Sequence, residues 1–159
     1  MEPQKKMSDC YKEHRASLMT FCWRMVGNRE VAEDIVQDVY LKSIEQNKPE
    51  ICWLFTCARN ICIDHLRRQG RWRKSAQRLR RALSWIPGFE TQWLENDTGF
   101  RILRDLSPKS RSLLLLKIHG GFNYQELAEI FDTTPETVGV LLSRARKKAR
   151  EQWKRETQP

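Results

Sequence analysis

Apolar positions recur at three- and four-residue spacing along most of the chain, and no stretch alternates in the manner of a strand. Ser8 is placed to cap a helix running to about Val26, with Leu18, Phe21, Cys22 and Met25 as its buried stripe. Gly27-Asn28 interrupts it, and Asn28 can cap a second helix to about Gln46. Val31, Ile35, Val39 and Ile44 form one face there, while Glu30, Glu33, Asp34, Gln37, Asp38 and Leu41 lie largely elsewhere. Pro49 opens a third helix, which the glycine rule ends at Gly70. Its expected core face is Ile51, Leu54, Phe55, Ala58, Ile61, Cys62 and Leu66. The other side presents Thr56, Arg59, Asn60, Ile63, Asp64 and Arg67. Residues 8–70 therefore read as a compact three-helix domain.

The pattern changes after Gly70. RWRKSAQRLRR is a basic run with a tryptophan inside it, and the residues that follow have Pro, Gly and no period. Residues 71–98 read as a basic linker, with room for a short helix from Ser75 to Leu83. A second domain, 99–156, follows. Ser107-Pro108 starts a helix over the run LLLLKI, and Gly120-Gly121 ends it. Asn123 and Glu126 then have the spacing of a capping box, with Leu127, Ala128, Ile130 and Phe131 as the apolar face behind them. That helix runs out at Asp132-Thr133. Thr134 caps the next, with Pro135 at its first position, where a missing N–H costs nothing. Val138, Leu142 and Ala145 face back, while Ser143, Arg144 and Lys147 face away, with Arg146, Lys148 and Arg150 close by. Two short helices so joined, the second basic, have the form of a helix-turn-helix that lays one helix in a DNA groove. An ordinary helical hairpin with a solvated basic face fits the same pattern. The expected fold class is all-α: two small helical domains joined by a linker, the second a helix-turn-helix.

Charge sharpens this picture. The 159-residue chain has a formal net charge of +9 and a pI near 9.6, which favours a polyanionic partner, nucleic acid or an anionic membrane surface. The excess is uneven: residues 1–70 hold 11 basic and 10 acidic groups, 71–104 hold 8 and 3, and 105–159 hold 10 and 7. A balanced first domain suits a protein contact better than bulk phosphate binding. No apolar run approaches the roughly 18 residues of a membrane span, and the polar start does not resemble a secretory signal, so a cytoplasmic location is expected. The five cysteines, Cys10, Cys22, Cys52, Cys57 and Cys62, are odd in number and form no CxxC pair. The last three recur every five residues, a rotation of about 140° each on a helix, so they do not converge on one metal. Reduced thiols in a cytosolic protein are expected. There is no phosphate-cradling glycine loop, metal spacing or nucleophile motif; His14, His65 and His119 are scattered, and His65 reads as structural. A protein without catalytic chemistry, cofactor or metal is expected.

The order of these parts resembles the extracytoplasmic-function sigma factors, the small specificity subunits of bacterial RNA polymerase, over nearly the whole chain. The matching residues are Ala32 to Leu41, Trp53-Leu54, Ala58-Arg59-Asn60, Asp64 to Arg68, Leu106-Ser107-Pro108, Tyr124 to Ile130, Thr137-Val138 and Ser143 to Arg146. The resemblance implies that Asp34, Gln37, Asp38 and Leu41 dock on the clamp helices of the largest subunit of core RNA polymerase. Leu41 would be one apolar anchor in a charged rim; a solvated acidic face is the plainer alternative. It also implies that Arg59, Asn60, Asp64, Arg67 and Arg68 face the −10 promoter element, arginines on phosphates and Asn60 on a base edge. Trp53 would stack on an unpaired base or serve as a core residue. Thr137, Gly139, Val140, Ser143 and Arg144 would read the −35 element, with Lys147 on phosphates. Further partners implied are the flap of the second largest subunit, promoter DNA and an anti-sigma factor.

The chain departs from the family pattern twice. Thr137-Val138 is followed by Gly139, Val140 and Leu141 where a basic residue, Ser and Arg are usual. Glycine inside a helix costs about 1 kcal/mol relative to alanine, and the usual hydrogen-bond donors are absent. Val140 and Leu141 can touch a thymine methyl, so weak or A·T-directed −35 recognition is expected. The segment from Gln37 to Trp53 is also shorter than is usual, leaving Gln46 to Glu50 where relatives capture a flipped base. In the basic linker, Arg71, Arg73, Lys74, Arg78, Arg80 and Arg81 with Trp72 suit upstream phosphates, nascent RNA or a plain tether. The expected function is promoter-directed initiation. The alternatives are a sigma-like protein that opens no DNA and a stand-alone helix-turn-helix regulator, which would usually need a dimer interface and a sensor domain.

Overall fold

A computed structural model describes residues 2–80 and 98–157, all helix and short connection. Three helices form the first unit: α1 (Glu2–Val26), α2 (Arg29–Gln46) and α3 (Ile51–Arg80). Four form the second: α4 (Thr98–Asp105), α5 (Pro108–Ile118), α6 (Tyr124–Ile130) and α7 (Pro135–Thr157). The all-helical, two-unit architecture follows the apolar periodicity.

In the first unit, α1 buries Leu18, Phe21, Cys22 and Met25 against Leu54, Phe55, Ala58 and Cys62 of α3. The Phe21 and Phe55 rings meet edge to face at 5.8 Å, and Tyr11 lies on Tyr40 at 4.1 Å. Truncating a side chain buried as fully as Phe55 costs about 3–5 kcal/mol. The Asn28 side chain accepts from the Val31 N–H at 3.1 Å, and Gly27 takes a left-handed φ of 73° to turn the chain.

Local details correct the sequence reading. Helix α1 begins at Glu2, before Ser8, and buries Met7 as well. On α2 the core face is Ala32, Ile35, Val36, Val39 and Ser43, whereas Val31 is half-buried and Ile44 is 40% exposed. That face is rotated toward Ala32, Val36 and Ser43. Ile63, expected to face outward, is buried. Most consequentially, α3 runs through Gly70 to Arg80. One helical glycine costs only about 1 kcal/mol, and the Arg, Lys, Gln and Ala residues after it are good helix formers. The short helix expected from Ser75 is thus the end of α3 as far as Arg80. Residues 81–97, and the side chains of Arg71, Trp72, Arg73, Lys74, Arg78, Arg80 and Arg81, lie outside the described residues.

In the second unit the start signals hold. The Ser107 hydroxyl accepts from the Ser110 N–H at 3.3 Å and Pro108 follows it. Gly120 is required by close approach: a β-carbon there would meet the Phe122 ring at 2.7 Å and the Leu116 carbonyl oxygen at 2.8 Å. Asn123 accepts from the Glu126 N–H at 2.8 Å while Glu126 accepts from the Asn123 N–H at 3.1 Å, completing the capping box. Asp132 turns the chain at φ 51°, and Thr134 accepts from the Thr137 N–H at 3.3 Å to start α7. Leu127, Val138, Leu142 and Ala145 close the core between α6 and α7.

The two units share one continuous core. Phe55 of the first meets Phe122 of the second edge to face at 5.0 Å. Arg111, only 6% exposed, donates to the carbonyls of Leu103 at 2.6 Å and Arg104 at 2.8 Å, and across the boundary to Met25 at 2.5 Å. The cation meets the carbonyl end of α1, where the helix dipole favours it.

Candidate polymerase and nucleic-acid interfaces

Asp34, Gln37, Asp38 and Leu41 all lie on the solvent side of α2. Leu41 is 57% exposed, and Ile44, displaced from the core, adds a second apolar side chain three residues on. An Arg29–Glu33 pair, 3.3 Å apart and exposed, sits one turn earlier. The surface is thus two aliphatic side chains beside carboxylates and an amide. Sequence reasoning missed Ile44; a mean helical phase that includes Ala32 and Val36 would have placed it outside.

On α3, Asn60, Asp64, Arg67 and Arg68 are exposed and Arg59 is half-buried. The Arg59 guanidinium donates twice to Asn60 Oδ1, at 3.2 and 2.7 Å, and lies 4.5 Å from the centre of the Phe131 ring of the second unit. Burial lowers the Arg59 pKa from its ordinary value. Trp53 is half-buried and packs on the core near the start of α3.

The residues expected to meet polymerase and those expected to meet the −10 element come together in the structure. Asp34, Asp38 and Lys42 of α2 line a single cleft of about 480 Å³ with Asp64, His65 and Arg68 of α3. His65 Nε2 is buried there with no hydrogen-bond partner among the described residues. Burial and, secondarily, the Arg68 charge push its pKa down, so the ring is neutral near neutral pH. The connection between α2 and α3 is four residues, 47–50, and Asn47 adopts φ 51° to make it. The Cys10 thiol donates to the Pro49 carbonyl at 2.6 Å and ties this connection to α1. Burial, then Glu13 and Glu50, raise the Cys10 pKa, which keeps the donor protonated. All five cysteines are free thiols; Cys22, Cys52 and Cys62 are buried and Cys10 and Cys57 half-buried.

On α7, Thr137, Val140, Ser143, Arg144 and Lys147 are exposed, Val140 at 50%. Gly139 lies beneath them, where a β-carbon would find the Tyr124 ring at 3.7 Å, an ordinary contact. The Thr137 hydroxyl is 2.9 Å from that of Thr134 and belongs to the cap. The outward face is therefore apolar at its start and basic further along.

Residues 10–72 match the family model of Sigma-70 region 2, and residues 101–148 match that of Sigma-70, region 4. A probable ECF RNA polymerase sigma factor of Mycobacterium tuberculosis, SigI, is 26% identical over 95% of this chain and 57% of its own length. The chain thus spans a little over half of that relative. The RNA polymerase sigma factor YlaC of Bacillus subtilis is 22% identical over 92% of this chain and 91% of its own. Among solved structures, the sigma factor RpoE of Bartonella quintana, crystallised with the anti-sigma factor NepR, aligns with TM-score 0.66 and 26% identity. The alignment covers 92% of this chain and 97% of that one. The two matched regions together occupy more than half of the sequence, and the chain belongs to the extracytoplasmic-function branch of the sigma-70 family.

Proposed function

We propose that this chain binds core RNA polymerase through α2 and directs it to promoters. In this reading α3 meets the −10 element and the exposed face of α7 the −35 element. The observation that carries it is the shared cleft: Asp34 and Asp38 on one wall, Asp64 and Arg68 on the other. A protein-facing carboxylate surface and a DNA-facing basic surface so joined would place promoter DNA at the edge of the polymerase contact.

Asp34, Gln37, Asp38 and Leu41 are assigned to the clamp helices of the largest subunit. Arg59, Asn60, Asp64, Arg67 and Arg68, with Trp53 at the start of the helix, are assigned to −10 DNA. Thr137, Gly139, Val140, Ser143, Arg144 and Lys147 are assigned to the −35 element, and the second unit to the flap. The role is binding and positioning, carried out in the cytoplasm with the polymerase. Among the described residues no helix is long and apolar enough to cross a membrane. The anti-sigma complex of the Bartonella relative supports an anti-sigma partner here too.

Run-off transcription from a genomic fragment library tests the reading. Core enzyme plus this chain should transcribe templates that core alone ignores, and an unchanged transcript set would refute it. A second reading, polymerase binding without promoter opening, is favoured by the four-residue connection held to α1 by Cys10. Permanganate footprinting separates the two, because only the first gives reactive thymines in the −10 region.

A further inference from the structure

We propose that the C-terminal end of α7, past the part of the chain that matches the family model, is an arm that grips the phosphate backbone of duplex DNA whatever its sequence. That the start of α7 lies in a DNA groove rests on the functional reading above. The arm supplies affinity that this start lacks.

The helix outreaches the groove. The matched region ends at residue 148, whereas α7 runs from Pro135 to Thr157. At about 1.5 Å per residue its 23 residues span about 35 Å, and the major groove is about 12 Å wide. A recognition helix reads bases with its N-terminal residues, so the C-terminal half passes out over the bordering phosphate strand.

That half carries a row of cations. Val138, Leu142, Ala145 and Ala149 pack inward at spacings of four, three and four. Ser143, Lys147, Arg150 and Lys154 repeat this spacing five residues on, about 140° around the helix, and all four are exposed. Arg144, Arg146, Lys148 and Arg155 flank the row and are exposed too, and Glu151 is the one acid between Thr137 and Arg155. Among the described residues none of these cations is held in an ion pair.

Helix stability alone does not account for the row. The helix dipole favours Lys154 and Arg155 in the last turn, but its effect fades before Lys147 and Arg150. Like charges three and four residues apart repel, so the row works against the helix until a polyanion lies along it. The start of α7 has the opposite character: Val138 to Leu142 contains no side-chain hydrogen-bond donor. Phosphate contacts position a protein without reading sequence, so here they replace base readout rather than sharpen it.

The test compares the full chain with Arg150→Ala/Lys154→Ala in binding a fluorescent duplex of random sequence, by anisotropy from about 50 to 200 mM salt. Each phosphate contact contributes about 0.9 to the slope of log affinity against log salt, so the variant's slope should be shallower by about 1.8. Its affinity at the low-salt end should fall at least tenfold, by the same factor on duplexes of different sequence. Arg150→Lys/Lys154→Arg should keep the parent slope. Lys5→Ala/Lys6→Ala, which removes the same charge from exposed positions at the start of α1, should change it little. Circular dichroism checks that the variants keep their helix, and the charge-keeping pair stands if the alanine pair does not. An unchanged slope in Arg150→Ala/Lys154→Ala, an equal loss in Lys5→Ala/Lys6→Ala, or a parent chain that does not bind the duplex overturns the proposal. A shallower slope in a chain that directs no transcription upholds the arm and counts against the promoter reading alone.

Discussion

The Arg111 guanidinium donates to the Met25 carbonyl at 2.5 Å, joining residues 86 positions apart in the chain and on different helical units. The same side chain satisfies the Leu103 and Arg104 carbonyls, so one buried cation both ends α4 and fastens the second unit to α1. Arg111→Ala should lower stability by about 2–4 kcal/mol, since several buried acceptors lose their charged donor at about 1–3 kcal/mol each and relax only in part. Denaturant melts of the two proteins check this, and a change under about 0.5 kcal/mol would contradict it.

Gly139 has an ordinary helical backbone, and a methyl there meets only the Tyr124 ring at van der Waals distance. Gly139→Ala should therefore stabilise the chain by about 0.5–1 kcal/mol through helix propensity. A raised midpoint in thermal unfolding is the expected result. DNA affinity at the −35 element should change little, because a methyl adds no hydrogen-bond donor.

His65 introduces a pH dependence whose sign follows from its environment. Burial and Arg68 hold its folded pKa below the ordinary value near 6.5. The unfolded chain then binds more protons between the two values, so stability is full above about pH 6.5 and falls as pH drops toward the folded pKa. His119, lowered by burial and Arg24, adds to the same slope. Urea unfolding at pH 7.5 and 5.5 should show the loss, and His65→Gln should flatten part of it. An unchanged slope in that variant would place the effect elsewhere.

The helix-turn-helix was legible because its signals are local. Asn123 with Glu126, and Thr134 with Pro135, fix their own helix starts within four residues, and the apolar spacing fixes the face. Gly70 is a weak stop signal for a related reason: one helical glycine costs about 1 kcal/mol, and the strong helix formers behind it carry α3 onward to Arg80. The face of α2 was misphased because Ala32 and Ser43, buried for their small size, do not register as apolar anchors. Arg111 was invisible, since a lone arginine before a leucine run reads as exposed and its partner on α1 is distant in sequence. The contact of Arg59 with Phe131 was equally out of reach, because it depends on how two separately patterned units meet.

The most direct measurement is retention of core RNA polymerase on the immobilised chain, wild type against Asp34→Ala/Asp38→Ala, at fixed moderate salt. Both aspartates are exposed, so the double variant should fold as the parent does. The account predicts that the wild type retains core enzyme and that the double variant loses at least tenfold in affinity. A wild type that fails to bind core enzyme, or a double variant that binds as well, would contradict it.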